Sequence, residues 1–229
     1  MLSIIGSPIG NAKDISLRAA QALVSSDIIL AEDTRTAQNL LDSMYDLFYP
    51  NKEKVFPKII SYYKEKELEK LPAILEDLRN NKNVSLISES GMPVVSDPGS
   101  LLIHAVIRED ISFTVIPGPS AVTTALVHAG TPMKEFMFIG FLPKKQGKLV
   151  KQLESIKTFK SVMPKLSIVA FESPHRINAT LAAIKEHLPN MQISVARELT
   201  KKFEEVVRSS GKDIDAEREY KGEITIVMS

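Results

Sequence analysis

Between residues 84 and 99 the chain reads VSLISESGMPVVSDPG, an apolar run followed by twelve residues that include two glycines and two prolines. The run Val84–Ile87 predicts a buried strand, and the residues after Gly99 predict a helix. A connection this long and this rigid is typical of a functional loop. Its backbone can present N–H and C=O groups to a polar ligand, and Met92 and Val94 can offer apolar contact. We therefore expect a binding loop at the end of this strand.

Similar apolar runs recur on both sides of this loop and alternate with segments of helical period. Such alternation predicts an α/β chain with a mainly parallel, covered sheet. In the first half we predict strands at Leu2–Ile5, Ile28–Ala31, Ile59–Tyr62, Val84–Ile87 and Phe113–Ile116. After the turn-rich Gly130-Thr131-Pro132, we predict strands at Phe136–Phe141, Leu166–Phe171, Ile193–Ala196, Glu205–Arg208 and Ile224–Met228.

The helices between these strands complete the predicted architecture. Asp14 should cap the first helix, whose apolar face would carry Leu17, Ala20, Leu23 and Val24. Further helices are predicted at Lys64–Asn80, Gly147–Ile156 and Arg176–His187. We expect two lobes, residues 1–117 and 118–229, with a cleft between them.

Composition excludes several classes of protein. A chain of 229 residues with 44% hydrophobic content can bury a full core. No apolar run approaches the roughly 20 residues that span a bilayer, and the first residues lack a basic region, so we expect a cytoplasmic protein. The absence of cysteine excludes disulfides, thiolate catalysis and cysteine-ligated metal sites. The four histidines show no metal-ligand spacing, which favours a chemistry without a metal.

Charge is unevenly distributed along the chain. Residues 142–202 contain ten lysines and two arginines against four glutamates, a net charge of +8, so the remainder carries −7 of the overall +1. This asymmetry indicates either a surface that binds a polyanion or a solvated basic face.

Two further loops follow predicted strands, and ligands of open α/β sheets bind at the carboxyl ends of strands. The loop Gly6–Asn11 is neither a dinucleotide fingerprint nor a P-loop; its glycines permit close backbone approach and Pro8 stiffens the turn. Taken alone, it could equally be a plain turn. In Pro117–Ala121, Pro119 suits the first turn of a helix, and Ser120 either caps that helix or contacts a ligand.

Five other segments join these loops in a recognisable order. The three loops and these segments resemble the ribosomal RNA cytidine 2'-O-methyltransferases of the tetrapyrrole-methylase superfamily, from Ser3 to Val227. The segments are Ala31–Arg35, Gly140–Pro143, Phe171–Arg176, Arg197–Glu205 and Lys221–Glu223.

The resemblance implies a two-lobed tetrapyrrole-methylase fold, with a mainly parallel N-terminal sheet, a mixed C-terminal sheet and S-adenosylmethionine in the cleft. It also explains why the glycine-rich fingerprint of Rossmann-like methyltransferases is absent. The contacts implied for S-adenosylmethionine are Pro8, Gly91, Met92, Pro93, Val94, Ser96, Ser120, Ala121, Phe171 and Glu172.

The sequence departs from the family pattern at several positions. Ser7 replaces the usual threonine, residues 89–93 replace Asp-Ala-Gly-Thr-Pro, and residues 61–63 read Ser-Tyr-Tyr instead of Ser-Tyr-His. None of these changes removes a backbone contact. Family members often carry a further small region after the Lys221–Glu223 segment, so either that region is dispensable here or substrate engagement differs.

Methyl transfer to a ribose hydroxyl requires that the hydroxyl and the methyl group be held in position. A proton acceptor or a well-placed cation should assist the reaction, because the hydroxyl is a poor nucleophile. The catalytic candidates are Glu172, His175 and Lys201, and Asp33, Glu198 and Glu204 are further possibilities. The alternatives stay open at each position. Glu172 either acts on the substrate or merely holds Arg176 or Arg197, and His175 either packs at a helix start or positions the substrate.

The resemblance implies ribosomal RNA or the small ribosomal subunit as substrate, and a homodimer. The residues expected to contact RNA are Arg35, Lys144, Lys145, Lys148, Lys151 and Arg176, although Arg35 could instead pair with Asp33. Two other functions remain open. One is methylation of a tetrapyrrole or a protein by another enzyme of the superfamily, and the other is non-catalytic binding of RNA or a nucleotide.

Overall fold

The structure, a computed structural model, describes residues 1–130 and 134–229. It divides into two compact units, Met1–Ser120 and Ala121–Ser229. The boundary predicted from the sequence lies after Pro117. Thr131 and Pro132 of the predicted turn lie outside the described residues.

The first unit is built on a five-stranded parallel sheet, as the alternation of short apolar runs with helical segments predicts. Its strands are β1 (Leu2–Ile5), β2 (Ile28–Ala31), β3 (Lys58–Ser61), β4 (Val84–Ile87) and β5 (Phe113–Ile116). Its helices are α1 (Leu17–Val24), α2 (Thr34–Phe48), α3 (Glu67–Arg79) and α4 (Ser100–Arg108). Two apolar clusters form the core, one with α1 and α2 and the other with α3 and α4.

The strand order of this sheet determines which loops meet. The order is β3-β2-β4-β1-β5, so β1 lies between β4 and β5 and pairs with both in parallel. The loops that follow these three strands therefore emerge side by side at one edge. The connections after β1 and β4 leave in opposite directions across the sheet, so these neighbouring strands form a topological switch point. Open α/β sheets bind ligands at such a point, beyond the carboxyl ends of the strands.

Two predicted details of the first helix are wrong. Asp14 does not cap α1, because it lies in a short 3₁₀ turn at Ala12–Asp14. The cap is Ser16, whose hydroxyl accepts a hydrogen bond from the backbone N–H of Ala19 at 3.1 Å. The helix consequently begins at Leu17 and buries Ala20 and Leu23 as predicted. The placement of Leu17 on the apolar face is also wrong, because its side chain is 55% exposed in the first turn.

The second unit has a mixed five-stranded sheet. Its strands along the chain are β6 (Glu135–Phe141), β7 (Leu166–Glu172), β8 (Gln192–Arg197), β9 (Glu205–Ser210) and β10 (Ile224–Met228). Their order across the sheet is β6-β7-β10-β8-β9. Only β6 and β7 are parallel, and the other pairs are antiparallel. The helices are α5 (Ala121–Ala129), α6 (Gln146–Val162) and α7 (Ile177–His187).

The core of the second unit lies between one face of this sheet and the helices α6 and α7. Alternate residues of β10, Ile224, Ile226 and Met228, contribute to it, as the two-residue period of a strand requires. Helix α5 contacts β7, β8 and β10. In the part of the chain that the structure describes, no helix combines the length and apolar character needed to cross a membrane.

Candidate functional site

Three loops of the first unit pack backbone against backbone at the ends of β1, β4 and β5. The N–H of Ser7 donates to the carbonyl of Gly91 at 2.8 Å. A Cβ atom on Gly6 would lie 2.6 Å from the backbone nitrogen of Gly118 and 2.7 Å from the sulfur of Met92. No side chain fits at such distances, so only glycine allows the loops to meet. The sequence-predicted Pro8, Gly91, Met92, Pro93, Val94, Ser96 and Ser120 all belong to these loops.

The Ser88–Gly99 loop has an unusual backbone. Gly91, Val94, Ser96 and Gly99 all have positive φ angles, of 78°, 73°, 72° and 123°. A left-handed conformation is rare for a β-branched residue such as Val94, and it costs on the order of 1–3 kcal/mol. Such strain persists only where surrounding contacts enforce it, and it concentrates at functional sites.

Glu67 is one of those contacts, and sequence analysis missed it. It lies in the first turn of α3 with only 5% of its surface exposed, and its carboxylate accepts a hydrogen bond from the backbone N–H of Gly99. Burial first and the Glu67 carboxylate second raise the pKa of the nearby Tyr62 hydroxyl well above its usual range. A glutamate in a highly charged helix gives no sequence signal that it is buried.

Ser7 offers a hydrogen-bonding group within these loops. It is 1% exposed, and its hydroxyl has no hydrogen-bond partner within residues 1–130 and 134–229. An unsatisfied buried hydroxyl costs about 1–3 kcal/mol, so it is suited to receive a polar group of a ligand.

The acidic side chains around this edge differ in their surroundings. Burial, reinforced by the Glu32 carboxylate, raises the pKa of Asp97 to about 6. Asp33 instead caps α2, where its carboxylate accepts from the Arg35 N–H at 2.7 Å, and this bond lowers the pKa of Asp33 below its ordinary value. The Arg35 side chain is 90% exposed and its Nε lies 3.6 Å from Asp33. Asp33 is therefore a helix cap, and Arg35 stays accessible to a partner.

In the second unit, Glu172 is buried at the end of β7 with its carboxylate fully used. It accepts from the guanidinium of Arg176 at 2.5 Å, from the Ser173 N–H at 2.7 Å and from the Thr180 hydroxyl at 2.6 Å. Arg176 also donates to the carbonyl of Leu142 at 3.1 Å. Of the alternatives left open by the sequence, this geometry favours Glu172 as the residue that holds Arg176 and ties two motifs together.

The other side chains of this motif are more accessible. His175 is exposed directly before Arg176. The ring of Phe171 packs edge-on against Phe138 and Phe141, with centroids 4.8 and 5.5 Å apart. His175 is thus the catalytic candidate of this segment whose side chain can reach a substrate.

The Arg197–Glu205 and Lys221–Glu223 segments form one ionic cluster. The ammonium of Lys201 lies 2.9 Å from Glu198 and 3.1 Å from Glu223. Burial opposes its charge, but the bonds to these two carboxylates outweigh burial and raise the pKa of Lys201 above its ordinary value. A Cβ atom on Gly222 would overlap the Glu198 carboxylate, and Gly222 has a φ of 84°, a left-handed conformation that favours glycine. Lys201 is therefore a fixed cation, and not a proton acceptor.

Glu204 belongs to a separate contact. Its carboxylate accepts from the Thr200 N–H at 2.5 Å and lies 3.7 Å from the imidazole of His128. Its neighbour Glu205 pairs with Arg197 at 3.4 Å and with Arg218. Glu205 is thus committed to two arginines, whereas Glu204 makes one backbone hydrogen bond and remains a candidate.

The predicted RNA-contacting lysines lie at the start of α6. Lys144, Lys145, Lys148 and Lys151 are exposed, and none forms an ion pair with any residue that the structure describes. Lys145 is the residue that precedes the first turn of the helix. Unpaired cations beside the positive end of a helix dipole form a surface that attracts anions.

The chain is similar to proteins of known family. The sequence profile described as Tetrapyrrole (Corrin/Porphyrin) Methylases matches residues 1–215. A protein of Hydrogenobaculum sp. (strain Y04AAS1) named Ribosomal RNA small subunit methyltransferase I is 41% identical, over 100% of this chain and 95% of its own length. A protein of Thermotoga maritima with the same name is 38% identical, over 100% of this chain and 97% of its own length.

Solved structures share the fold at lower sequence identity. The methyltransferase CobJ is 18% identical with a TM-score of 0.70, over 100% of this chain and 93% of that one. The uroporphyrin-III-C-methyltransferase from Thermus thermophilus is 16% identical with a TM-score of 0.63, at the same coverage. The predicted fold class, a parallel sheet followed by a mixed sheet of the tetrapyrrole-methylase type, is confirmed.

Proposed function

Because the chain belongs to the tetrapyrrole (corrin/porphyrin) methylase family, we propose that it uses S-adenosylmethionine to methylate the 2'-hydroxyl of a cytidine in small-subunit ribosomal RNA. The RNA substrate is inferred from the 41% and 38% identity to two relatives that are named for methylation of small-subunit ribosomal RNA and match over nearly their full length. The cytidine 2'-O specificity rests on the motif resemblance. The uneven charge supports a polyanionic substrate.

The three loops of the first unit fit this cofactor by their own chemistry. Ser7 supplies a buried hydroxyl without a partner in the described chain, and Met92 supplies apolar surface. A Cβ atom on Gly91 would lie 3.4 Å from Ile9 and 3.6 Å from the carbonyl of Pro119, so it would fill the space among the loops. We assign Pro8, Gly91, Met92, Pro93, Val94, Ser96, Ser120 and Ala121 to cofactor binding.

When bound, S-adenosylmethionine supplies an electrophilic methyl group, and the chain positions the acceptor and excludes water. His175 would contact the RNA, because its imidazole is exposed. Lys201 would act as a fixed positive charge that its carboxylate partners hold in place. The buried Glu172 would act through Arg176, by fixing the segment that carries His175.

The first experiment incubates undermethylated small ribosomal subunits with labelled S-adenosylmethionine and maps the modified nucleotide. A 2'-O-methylcytidine supports the proposal. Methylation at a base or on a ribosomal protein would show that the acceptor is not a ribose hydroxyl of the RNA. If the cofactor binds and no methyl group is transferred, a non-catalytic RNA-binding protein is favoured.

The second experiment tests the cofactor site by calorimetry with S-adenosylmethionine and its demethylated product. Gly91→Val should abolish binding, since Gly91 has a φ of 78° and a side chain there would enter the space among the loops. Gly147→Val is the matched control, because a Cβ at Gly147 has no neighbour within 4 Å. Equal affinities for the two variants would refute the assignment of these loops.

A third experiment tests the lysine surface at the start of α6. Changing Lys144, Lys145, Lys148 and Lys151 to glutamine should weaken RNA binding and flatten its salt dependence. Each phosphate contact that is lost should reduce the log–log slope by about one. Cofactor affinity should not change. An unaltered slope would return these lysines to the role of a solvated face.

A further inference from the structure

A groove in the second unit lies beside the same lysines but belongs to no motif discussed so far. It has a volume of about 310 Å³ and lies between α6 and the strands β6 and β7. Its floor is apolar, with Met137, Ile139 and Ile168, and its rim carries Lys151, Gln152 and Phe159 of α6. The volume is at the lower end of the range that small ligands occupy.

The rim residues lie on one face of α6. Lys151 or Gln152, Ser155 and Phe159 of the rim follow one another at intervals of three or four residues. Lys148, which lies outside the groove, precedes them at the same spacing, so the four positions form a row along the helix. At 1.5 Å per residue the row is about 16 Å long. It begins with ammonium groups and ends with an aromatic ring that is 45% exposed.

The charge of this helix restricts what can bind in the groove. Residues 144–162 contain six lysines and one glutamate, a net charge of +5. Two copies of such a helix repel one another, so the same helix of a second chain is disfavoured as the occupant. A small anion needs only one of these cations, whereas a row of lysines matches the repeated charge of a nucleic-acid backbone.

The remaining groups match an unpaired base. Aromatic rings stack on bases that are not engaged in a duplex, and this is the usual means by which proteins hold single-stranded RNA. The Gln152 amide carries both donors and an acceptor, as do the edges of bases. The Lys151 ammonium has no ion pair within residues 1–130 and 134–229, so it can contact a flanking phosphate.

We propose that this groove binds one unpaired base of the RNA substrate, stacked on Phe159 with Gln152 at its edge and Lys151 on an adjacent phosphate. The proposal rests on the proposed function, since it assumes an RNA substrate. It extends the RNA surface along α6, from the lysines at its start to Phe159.

The test measures binding of a mixed-sequence single-stranded RNA that carries one 2-aminopurine. Phe159→Leu keeps the apolar volume and removes the aromatic face, so it should weaken binding by about 5- to 150-fold, the range for loss of one stacked base. Fluorescence quenching of the 2-aminopurine should be lost as well, and Phe159→Tyr should preserve both signals. Phe136→Leu is the control, because Phe136 is similarly exposed, at 49%, and does not line the groove.

Salt dependence separates stacking from charge. Phe159→Leu should leave the salt slope of RNA binding unchanged, whereas Lys151→Gln should reduce it by about 0.7, the value for one phosphate contact on a single strand. Equal affinities of the Phe159→Leu and Phe136→Leu variants would overturn the groove proposal, and so would a parent protein that does not bind this RNA. Methylation of small subunits, measured separately, shows whether the proposed function itself fails.

Discussion

Replacing Glu67 with alanine should loosen the C-terminal end of the Ser88–Gly99 loop. The carboxylate is 5% exposed and accepts from the Gly99 N–H, so its removal leaves a buried backbone donor without a partner. A hydrogen bond to a charged group contributes about 1.5–3 kcal/mol, and an orphaned buried donor costs a similar amount. We expect the free energy of unfolding to fall by about 2–3 kcal/mol.

The same change should weaken cofactor binding while the protein remains folded. The left-handed conformations of Val94 and Ser96 persist because both ends of the loop are held, and Gly99 is one of those ends. A Cβ on Gly99 would lie 3.1 Å from Val94, which shows how closely this end supports the strained residue. If about 1.4 kcal/mol of the lost restraint appears in binding, affinity falls tenfold.

Chemical denaturation and calorimetry with S-adenosylhomocysteine measure the two effects. Glu67→Gln keeps an amide oxygen as acceptor and should recover part of both losses. Glu69→Ala is the matched control on the same helix, because the Glu69 side chain is 61% exposed and pairs with Lys66 at the surface. If Glu67→Ala and Glu69→Ala were equally stable and bound the cofactor equally well, Glu67 would not anchor the loop.

Three other predictions concern the titration of Asp97, the conformation of Gly222 and the oligomeric state. Asp97 has a pKa of about 6 against an ordinary 3.8, so folding favours its protonated form and the free energy of unfolding should fall as pH rises from 4 to 6. In denaturation experiments, Asp97→Asn should remove that fall. A variant with the same pH profile as the parent protein would contradict the prediction. Gly222→Ala should destabilise the second unit by about 1–3 kcal/mol, because φ is 84° and the new Cβ would overlap Glu198, whereas Gly147→Ala should cost nothing. Finally, the family resemblance predicts a homodimer, which light scattering should report as twice the 25.4 kDa chain mass; a monomer at working concentration would contradict it.

The elements of the fold were largely predictable from the sequence. Central strands such as Val84–Ile87 are mostly apolar because a parallel sheet covered on both faces buries the side chains of its central strands, and this signal is local. The loops after β1, β4 and β5 were predictable from their glycines and prolines, because the backbone preferences of these residues act within a few residues. The cap of α1 was misplaced because Asp14 and Ser16 are both good caps, and local propensity does not decide between them.

The roles of the charged side chains depended on contacts between distant parts of the chain. Glu67 meets Gly99, and Glu198 meets Gly222, only because the fold brings these residues together. Burial then determines whether a carboxylate is a structural acceptor, as in Glu172, or titrates near neutral pH, as in Asp97. The order of the strands, with β1 between β4 and β5, likewise follows from the packing of whole elements. Residue type and periodicity thus specify helices, strands and candidate loops, whereas desolvation and long-range pairing assign each ionisable group its chemistry.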